Sequence, residues 1–406
     1  MVVDTFVIVG GGLAGAKAAE ALREQGFDGR VVLVGAEEHL PYERPPLSKD
    51  YLAGKAELDS IFVHTAQWYA AQRIELRLGT EVISIDRAAH EVELADGSRL
   101  SYTKLLLATG SSPRTLPVAG ADAAHYLRTV DDSTEIRQLI SDQTSLVVIG
   151  AGWIGLEVTA IARQAGARVT VLEFAELPLL RVLGPELGQV FASLHAEHGV
   201  DLRFGVRTEE IVTVDGLVTG VRLGDGTLIE ASAVVVGIGA TPNTSLAEAC
   251  GLDVSDGILV DAALRTSDPD IFAVGDIANA VHPTLGRRIR VEHWANALNQ
   301  PATAATAMLG SDASYDELPY FYTDQYDLGM EYLGYVEPDG YDRVVFRGDV
   351  SAREFIAFWL SSDGRVLAGM NVNVWDVTEP IKALIRSGRS VDPNRLADQT
   401  IPLDQL

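Results

Sequence analysis

One cysteine, Cys250, is all that the 406 residues contain. A single thiol builds no intrachain disulfide, no Cys-x-x-Cys redox pair, no thiolate iron–sulfur cluster and no cysteine-based structural zinc site. It fits a cytoplasmic location. Positive charge is also scarce: 32 Lys and Arg face 57 Asp and Glu, a net charge of −25. That balance opposes non-specific nucleic-acid binding and attachment to anionic membranes. It does not oppose phosphate-bearing cofactors, which backbone N–H groups can hold. The apolar runs are short and broken by Gly, Asp or Glu, so no transmembrane helix is expected. Residues 1–6 carry Asp4 and no basic cluster, so they are not read as a signal peptide. His195 and His198 stand three apart on an expected helix with no carboxylate or cysteine to complete a metal site. They are expected on a surface helix face, and no metal is expected. No Ser-His-Asp or paired-carboxylate hydrolase pattern stands out.

What is abundant is glycine, at 38 residues, which points to tight turns and close backbone approaches. At roughly 100–200 residues per domain the length suggests two to four domains. A near-repeat organises them. An apolar run over residues 6–9 leads into Gly10-Gly11-Gly12-Leu13-Ala14-Gly15, an Ala-rich helical stretch to Gly26 and a second apolar run over 31–34, with Glu37 and Glu38 beyond. A run over 146–149 leads into Gly150-Ala151-Gly152-Trp153-Ile154-Gly155, a helical stretch to Gly166 and a run over 169–172 ending at Glu173.

Both copies read strand, glycine turn, helix, strand, acid. The first glycine allows the tight turn, the second lets a pyrophosphate approach the backbone, and the third lets helix and strand pack closely. Two dinucleotide sites imply two dinucleotides, and a flavin with a nicotinamide is the simplest pair, because hydride passes between them. Three further apolar runs return the chain toward cofactor edges. They end in Ala108-Thr109-Gly110, Gly237-Ile238-Gly239 and Gly275-Asp276. Asp276 could be an ordinary turn or N-cap aspartate. Its place after a glycine at a strand end favours a ligand to ribityl hydroxyls. From residue 319 the texture changes to clustered tyrosines and three antiparallel strand patterns at 344–347, 355–359 and 366–368. A short helix over 380–386 follows, stopped by Gly388.

Residues 40–49 (Leu-Pro-Tyr-Glu-Arg-Pro-Pro-Leu-Ser-Lys) are the most specific stretch. Trp153-Ile154-Gly155-Leu156-Glu157, residues 266–269 running into Gly275-Asp276, and Asp324-Gln325-Tyr326 join them. On these motifs, and over essentially its whole length, the chain resembles the bacterial NADH-dependent ferredoxin reductases. These are the putidaredoxin- and rubredoxin-reductase-like branch of the FAD-containing pyridine nucleotide-disulphide oxidoreductase superfamily. The fold this resemblance implies is α/β, with two Rossmann-like dinucleotide-binding domains of the glutathione-reductase type plus a C-terminal α+β domain. The boundaries are 1–109 with 241–319 for FAD, 110–240 for NADH and 320–406 for the C-terminal domain.

The resemblance also implies roles. The first motif (Gly10, Gly12, Leu13, Ala14, Gly15) holds FAD. Arg44, Lys49, Val82, Arg128, Asp276 and Trp294 fall on family FAD-contact positions, and Ala108-Thr109-Gly110 is the return crossing. A helix starting near Glu292-His293-Trp294 points its N-terminus at the pyrimidine end of the flavin. Many relatives carry a ribose-binding acid where this chain has Ala36, and Glu37 is the nearest substitute. The second motif (Gly150, Gly152, Trp153, Ile154, Gly155), with Gly237, Ile238 and Gly239, holds NADH. Glu173 would accept both ribose hydroxyls and repel a 2′-phosphate, and the first cation after it is Arg181. Lys49 and Glu157 resemble the pair that meets near flavin N5. Trp153 either covers the flavin face until nicotinamide arrives or packs between domains.

Disulfide reductases of the superfamily need paired cysteines, and this chain has none. Electrons therefore go to an external acceptor, expected to be a small two-iron ferredoxin that feeds an oxygenase. Rubredoxin reduction, an NADH oxidase or quinone reductase, and a redox-sensing flavoprotein are the alternatives. An acidic chain meeting an acidic ferredoxin needs a local basic patch. Arg287, Arg288 and Arg290 are the first candidates, and Lys382 and Arg386 are the second.

Overall fold

The computed structural model describes residues 4–406; Met1 to Val3, part of the stretch read above for a signal peptide, lie outside the described residues. The chain divides into two compact units. One comprises Met1–Arg44, Glu57–Ser112 and Ala240–Pro319; the other comprises Pro45–Ala56, Pro113–Gly239 and Tyr320–Leu406.

The first unit is built on a five-stranded parallel sheet. Its spatial order is Ile271–Ala273, Lys104–Leu107, Thr5–Val9, Arg30–Val34 and Ile74–Arg77. These strands are near-continuous Val, Leu and Ile because helices and loops cover both faces of a parallel sheet. The chain leaves Thr5–Val9 for the strand on one side, while Lys104–Leu107 pairs on the other. The order therefore reverses at the carboxyl end of Thr5–Val9, where ligands of such sheets bind. The helix Leu13–Glu24 starts there and buries its alanines Ala14, Ala16, Ala18, Ala19 and Ala21. A three-stranded antiparallel sheet, Val82–Asp86, Glu91–Leu94 and Arg99–Ser101, is inserted before the return strand.

The second unit repeats the plan. Its parallel sheet runs Asp201–Arg203, Arg168–Leu172, Ser145–Ile149, Ala233–Val236 and His125–Tyr126, and the helix Trp153–Gln164 leaves the central strand. The same unit contains the C-terminal antiparallel sheet, ordered Tyr320–Gln325, Leu328–Gly334, Val366–Val372, Glu354–Leu360 and Arg343–Asp349. The helix Thr378–Ser387 buries Ile381, Leu384 and Ile385. The Arg347 guanidinium then straps the last residues, donating to the carbonyls of Asp398 (2.6 Å) and Ile401 (2.7 Å).

Residues 45–56 group with this second unit, although the sequence division runs the first segment straight through to 109. The cause is local. Pro45–Ser48 forms a 3-10 turn, the Ser133 hydroxyl donates to the carbonyl of Leu47 (2.7 Å), and Tyr51 and Thr134 share a hydrogen bond of 2.8 Å.

The two glycine turns are governed by the room available for a Cβ. At Gly15 a Cβ would lie 2.0 Å from the carbonyl oxygen of Gly10, and at Gly155 one would lie 2.2 Å from that of Gly150. At Gly12 a Cβ would meet nothing within 4 Å, and at Gly152 only one carbonyl, at 3.8 Å. Gly15→Ala should therefore lower the stability of the cofactor-free protein by about 2 kcal/mol or more. Gly12→Ala, which meets no clash and loses only the N-cap preference of glycine over alanine, should cost about 1 kcal/mol or less. Thermal unfolding of the two variants side by side checks the difference. Equal losses would show that helix–strand contact does not select Gly15.

Candidate functional site

The open space above Gly12 and Gly152 coincides with two helix N-termini whose backbone donors no side chain satisfies. Gly12 is the N-cap of Leu13–Glu24 and Gly152 that of Trp153–Gln164; neither receives a side-chain cap. On Val130–Leu139, by contrast, Thr129 and Asp132 form a complete capping box. An uncapped N-terminus with positive dipole end and free N–H groups, opening on unfilled space, is what a pyrophosphate requires. Both motifs therefore fit a dinucleotide phosphate.

In the first unit the remaining sequence candidates gather around this end of the sheet. Gly10 lies against Ala108, whose carbonyl oxygen would be 2.1 Å from a Cβ there. Thr109 and Gly110 are tied to Asn243: the Thr109 hydroxyl donates to its carbonyl (2.8 Å), and the Asn243 N–H donates to the carbonyl of Gly110 (2.9 Å). Asp276 follows the strand Ile271–Ala273 and accepts from the Ser111 hydroxyl at 2.6 Å. Gly275, just before it, donates its N–H to the buried amide of Gln300 (2.7 Å). Ala14 and Val82 are buried. Ala14 lies 3.4 Å from where a Cβ of Gly275 would stand, which keeps the Asp276 turn close to the helix.

Ala36 is exposed and offers no ligand atom, and Glu37 is already engaged. One Glu37 carboxylate oxygen accepts from the Tyr42 hydroxyl at 2.5 Å and the other from Arg44 at 3.1 Å. The helix Trp294–Met308 begins with His293 as its N-cap. The Trp294 indole donates to the carboxylate of Glu43, whose pKa burial pushes up while that bond opposes the rise. Glu292 precedes them and pairs with Arg290.

The second unit carries the other candidates. Glu173 is not a loose strand-end acid. One carboxylate oxygen accepts from the N–H of Ala151, inside the glycine turn, at 2.7 Å, and the other accepts from that of Ala175 at 2.8 Å. The carboxylate is thus fixed at the rim of the turn with lone pairs left for two further donors. Gly150 packs on Gly237, whose carbonyl oxygen would be 2.4 Å from a Cβ there, and Gly239 accepts from the N–H of Arg114 at 2.9 Å. Ile238 packs against the core of this unit. Ile154 and Arg181 are exposed, and Arg128, half-buried, gives its backbone N–H to Asp132. Trp153, half-buried, rests on Phe321 and Phe191, with ring centroids 4.9 and 5.5 Å apart.

Lys49 and Glu157 meet. The ammonium donates to a Glu157 carboxylate oxygen at 2.5 Å, with side-chain exposures of 15% and 6%. The Ser48 hydroxyl donates to the other oxygen and Thr323 adds a third donor at 2.5 Å. Both oxygens of this buried carboxylate are thus supplied with donors, as burial requires.

Two expectations are corrected. His195 is not on a surface face but fully buried, because the C-terminal sheet covers its helix, Pro185–Glu197. Its ring bonds Gln325 at 2.8 Å, and nothing in the local sequence signals that cover. The arginine patch loses Arg290, which is largely buried and paired with Asp256 (3.0 Å) and Glu292 (2.5 Å), whereas Arg287 and Arg288 are exposed, Arg288 donating to the carbonyls of Val260 (2.7 Å) and Asn279 (2.8 Å). Cys250 ends the helix Ser245–Ala249; its thiol, half-buried, faces the carbonyl of Ala247 and burial pushes its pKa up. Among the described residues no group of three or more His, Cys, Asp or Glu is placed to hold a metal, and no helix is long and apolar enough to cross a membrane.

Comparison with known proteins shows the family. The profile of the pyridine nucleotide-disulphide oxidoreductase family matches residues 4–301, and that of the reductase C-terminal domain matches 320–406. The chain is 44% identical to the ferredoxin–NAD(+) reductase component of the anthranilate 1,2-dioxygenase system of Burkholderia cepacia, over 99% of both chains. It is 42% identical to putidaredoxin reductase of Pseudomonas putida, over 99% of this chain and 96% of that one. The reductase in a crystal structure of the covalent putidaredoxin reductase–putidaredoxin complex superposes with a TM-score of 0.93 at 41% identity, covering 99% of this chain and 97% of that one.

Burial lowers the His195 pKa from 6.5 to about 4, with the Gln325 bond opposing the fall and His198 adding to it. The unfolded chain takes up this proton near pH 6.5 and the folded one only near 4, so stability falls as pH falls through that window. At pH 5 the loss from this group is about 2 kcal/mol relative to pH 8. His195→Asn should therefore show a smaller drop in Tm between pH 8 and pH 5 than the parent. An equal drop would assign the acid sensitivity to other groups.

Proposed function

Since this chain belongs to the pyridine nucleotide-disulphide oxidoreductase family and ends in a reductase C-terminal domain, we propose that it is an NADH-dependent ferredoxin reductase that uses FAD. Its acceptor is a small two-iron ferredoxin serving an oxygenase. The observation that carries the reading is the pair of uncapped, glycine-opened helix N-termini, one in each unit, with a fixed carboxylate at the rim of the second. The relatives' names supply the acceptor class. The work is cytoplasmic.

In this reading residues 1–109 and 241–319 bind FAD, 110–240 bind NADH, and 320–406 form the C-terminal domain. FAD held there would supply the hydride acceptor and the one-electron donor that link NADH to ferredoxin. NADH and two oxidised ferredoxins thus become NAD⁺, a proton and two reduced ferredoxins.

The chain's own residues bind and orient. The N–H groups at Gly12, Leu13 and Ala14 take one pyrophosphate, and those at Gly152, Trp153 and Ile154 the other. Asp276, aimed by Ser111, accepts from ribityl hydroxyls. Glu37, clamped by Tyr42 and Arg44, stands nearest the adenosine ribose of FAD, and Arg128 and Val82 complete that cofactor's contacts. The helix beginning at Trp294 turns its positive end to the flavin pyrimidine. Glu173 accepts from both hydroxyls of the NADH ribose, and Arg181 flanks it. Lys49, held by Glu157, presents positive charge near flavin N5. Trp153 lies where the nicotinamide must enter.

Three outcomes follow. Glu173→Ala removes the like charge that meets a 2′-phosphate, so the NADPH:NADH ratio of kcat/KM should rise about tenfold or more, since a close like-charge contact costs several kcal/mol. A parent enzyme that already prefers NADPH would refute the role of Glu173. Cys250→Ser should leave turnover within about twofold, since a half-buried helix-end thiol does not relay electrons; an inactive variant with normal FAD content would contradict this. Arg288 is the exposed hairpin cation nearest the Glu292-His293-Trp294 segment, so Arg288→Glu should raise the KM for ferredoxin and spare NADH-to-ferricyanide activity. Unchanged ferredoxin kinetics would exclude that face.

A further inference from the structure

Behind Lys49 and Glu157 runs a chain of buried side chains that the reading above leaves without a role. Thr323, which donates to Glu157 at 2.5 Å, accepts from the Gln325 amide N–H at 3.2 Å. The Gln325 carbonyl oxygen faces His195 Nε2 at 2.8 Å, and His195 Nδ1 faces the Tyr326 hydroxyl at 3.3 Å. Thr323, Gln325 and His195 are 1%, 1% and 0% exposed, so bulk water cannot take any link's place.

The directions of these bonds are fixed. Glu157 can only accept, so Thr323 must donate to it. The Thr323 hydroxyl has then used its one proton and must accept from the Gln325 NH₂. That leaves the Gln325 oxygen facing His195, whose Nε2 must carry the proton. A neutral imidazole with Nε2–H has Nδ1 free to accept from the Tyr326 hydroxyl. Every proton along the chain points toward the Glu157 carboxylate, and each donor polarises the next. Inverting any one link breaks another.

The far end is built at a cost. Tyr326 sits at φ +57°, in the left-handed region that a bulky side chain rarely adopts. Its ring stacks on His198 at 3.6 Å, with 9° between the planes. Alternation along the strand Tyr320–Gln325 puts Thr323 and Gln325 on one face. His195 interacts with Gln325, Tyr326 and His198.

We propose that Thr323, Gln325 and His195 are positioning residues that hold the Glu157 carboxylate in one rotamer, and thereby fix where Lys49 places its charge. The proposal rests on the reading that Lys49 acts on the flavin. A cation held near reduced flavin raises its potential, and a carboxylate free to rotate would let the ammonium swing away.

The test is the midpoint potential of FAD in the purified holoenzyme, measured for Thr323→Val, Thr323→Ser, His195→Phe and Lys49→Met. Thr323→Val keeps the shape and removes the donor; Thr323→Ser restores it. Thr323→Val and His195→Phe should each reduce the equilibrium constant for flavin reduction about tenfold, which for two electrons is about 30 mV lower. Thr323→Ser should match the parent. If Lys49→Met lowers the potential but Thr323→Val and His195→Phe do not, the positioning role is overturned and the reading of Lys49 stands. If Lys49→Met leaves the potential unchanged, both fall. Should Thr323→Val not accumulate as folded holoenzyme, His195→Phe decides alone, because it cuts the same chain two links away.

Discussion

A carbonyl oxygen occupies the place where a Cβ of Gly15 would be, and another does so at Gly155. Everything else in the two parallel-sheet domains depends on that contact. It draws the helix against the strand before it, so that the helix begins at the point where strand order reverses. The same closeness leaves Gly12 and Gly152 as N-caps with no side chain to satisfy the first turn. Backbone donors that water or a side chain would otherwise take are kept for a phosphate. A chain with a net charge of −25 can hold two anionic cofactors in this way without gathering cations around them.

The ion pair of Lys49 and Glu157 answers a different constraint. A buried carboxylate is stable only when its lone pairs are used. The three donors come from two stretches of chain, Ser48 and Lys49 from one and Thr323 from the other. That requirement explains why residues 45–56, far from 157 and 323 in sequence, belong to the same compact unit. It also gives the C-terminal sheet a role beyond covering a face, since the strand Tyr320–Gln325 delivers one of the donors.

The glycine turns, their flanking strands and the acid at 173 were legible because each is a local pattern. Period, turn chemistry and strand-end position lie within about 30 residues of chain. The C-terminal strands and the helix at Thr378–Ser387 were legible for the same reason. His195 was not, because its burial comes from a sheet that begins more than a hundred residues later, and its helix reads as amphipathic either way. The arginines at 288 and 290 look like a surface cluster in one dimension. Asp256 and Glu292 turn Arg290 inward, while Arg288 stays exposed. The anchoring of Glu173 to Ala151 was invisible too, since a backbone N–H leaves no mark in sequence.

Loss of the thiol relay and gain of the buried polar chain belong to one logic. A disulfide beside a flavin is itself the electron acceptor, and its own chemistry sets the direction of flow. Without it, transfer to an outside protein depends on the potential the flavin has when that partner arrives. That potential answers to fixed charges nearby, and a single flexible lysine is a poor fixed charge, because its four-carbon stem samples many rotamers. Fixing it takes an acceptor that cannot turn, and fixing the acceptor takes donors that cannot turn. Such a series must end in a group that is rigid for other reasons. Here it ends in a buried, uncharged histidine against a tyrosine held by a tight turn and a stacked ring. The motif Asp324-Gln325-Tyr326, which in sequence marks only a resemblance, supplies the anchoring end of the hydrogen-bond chain that reaches Glu157.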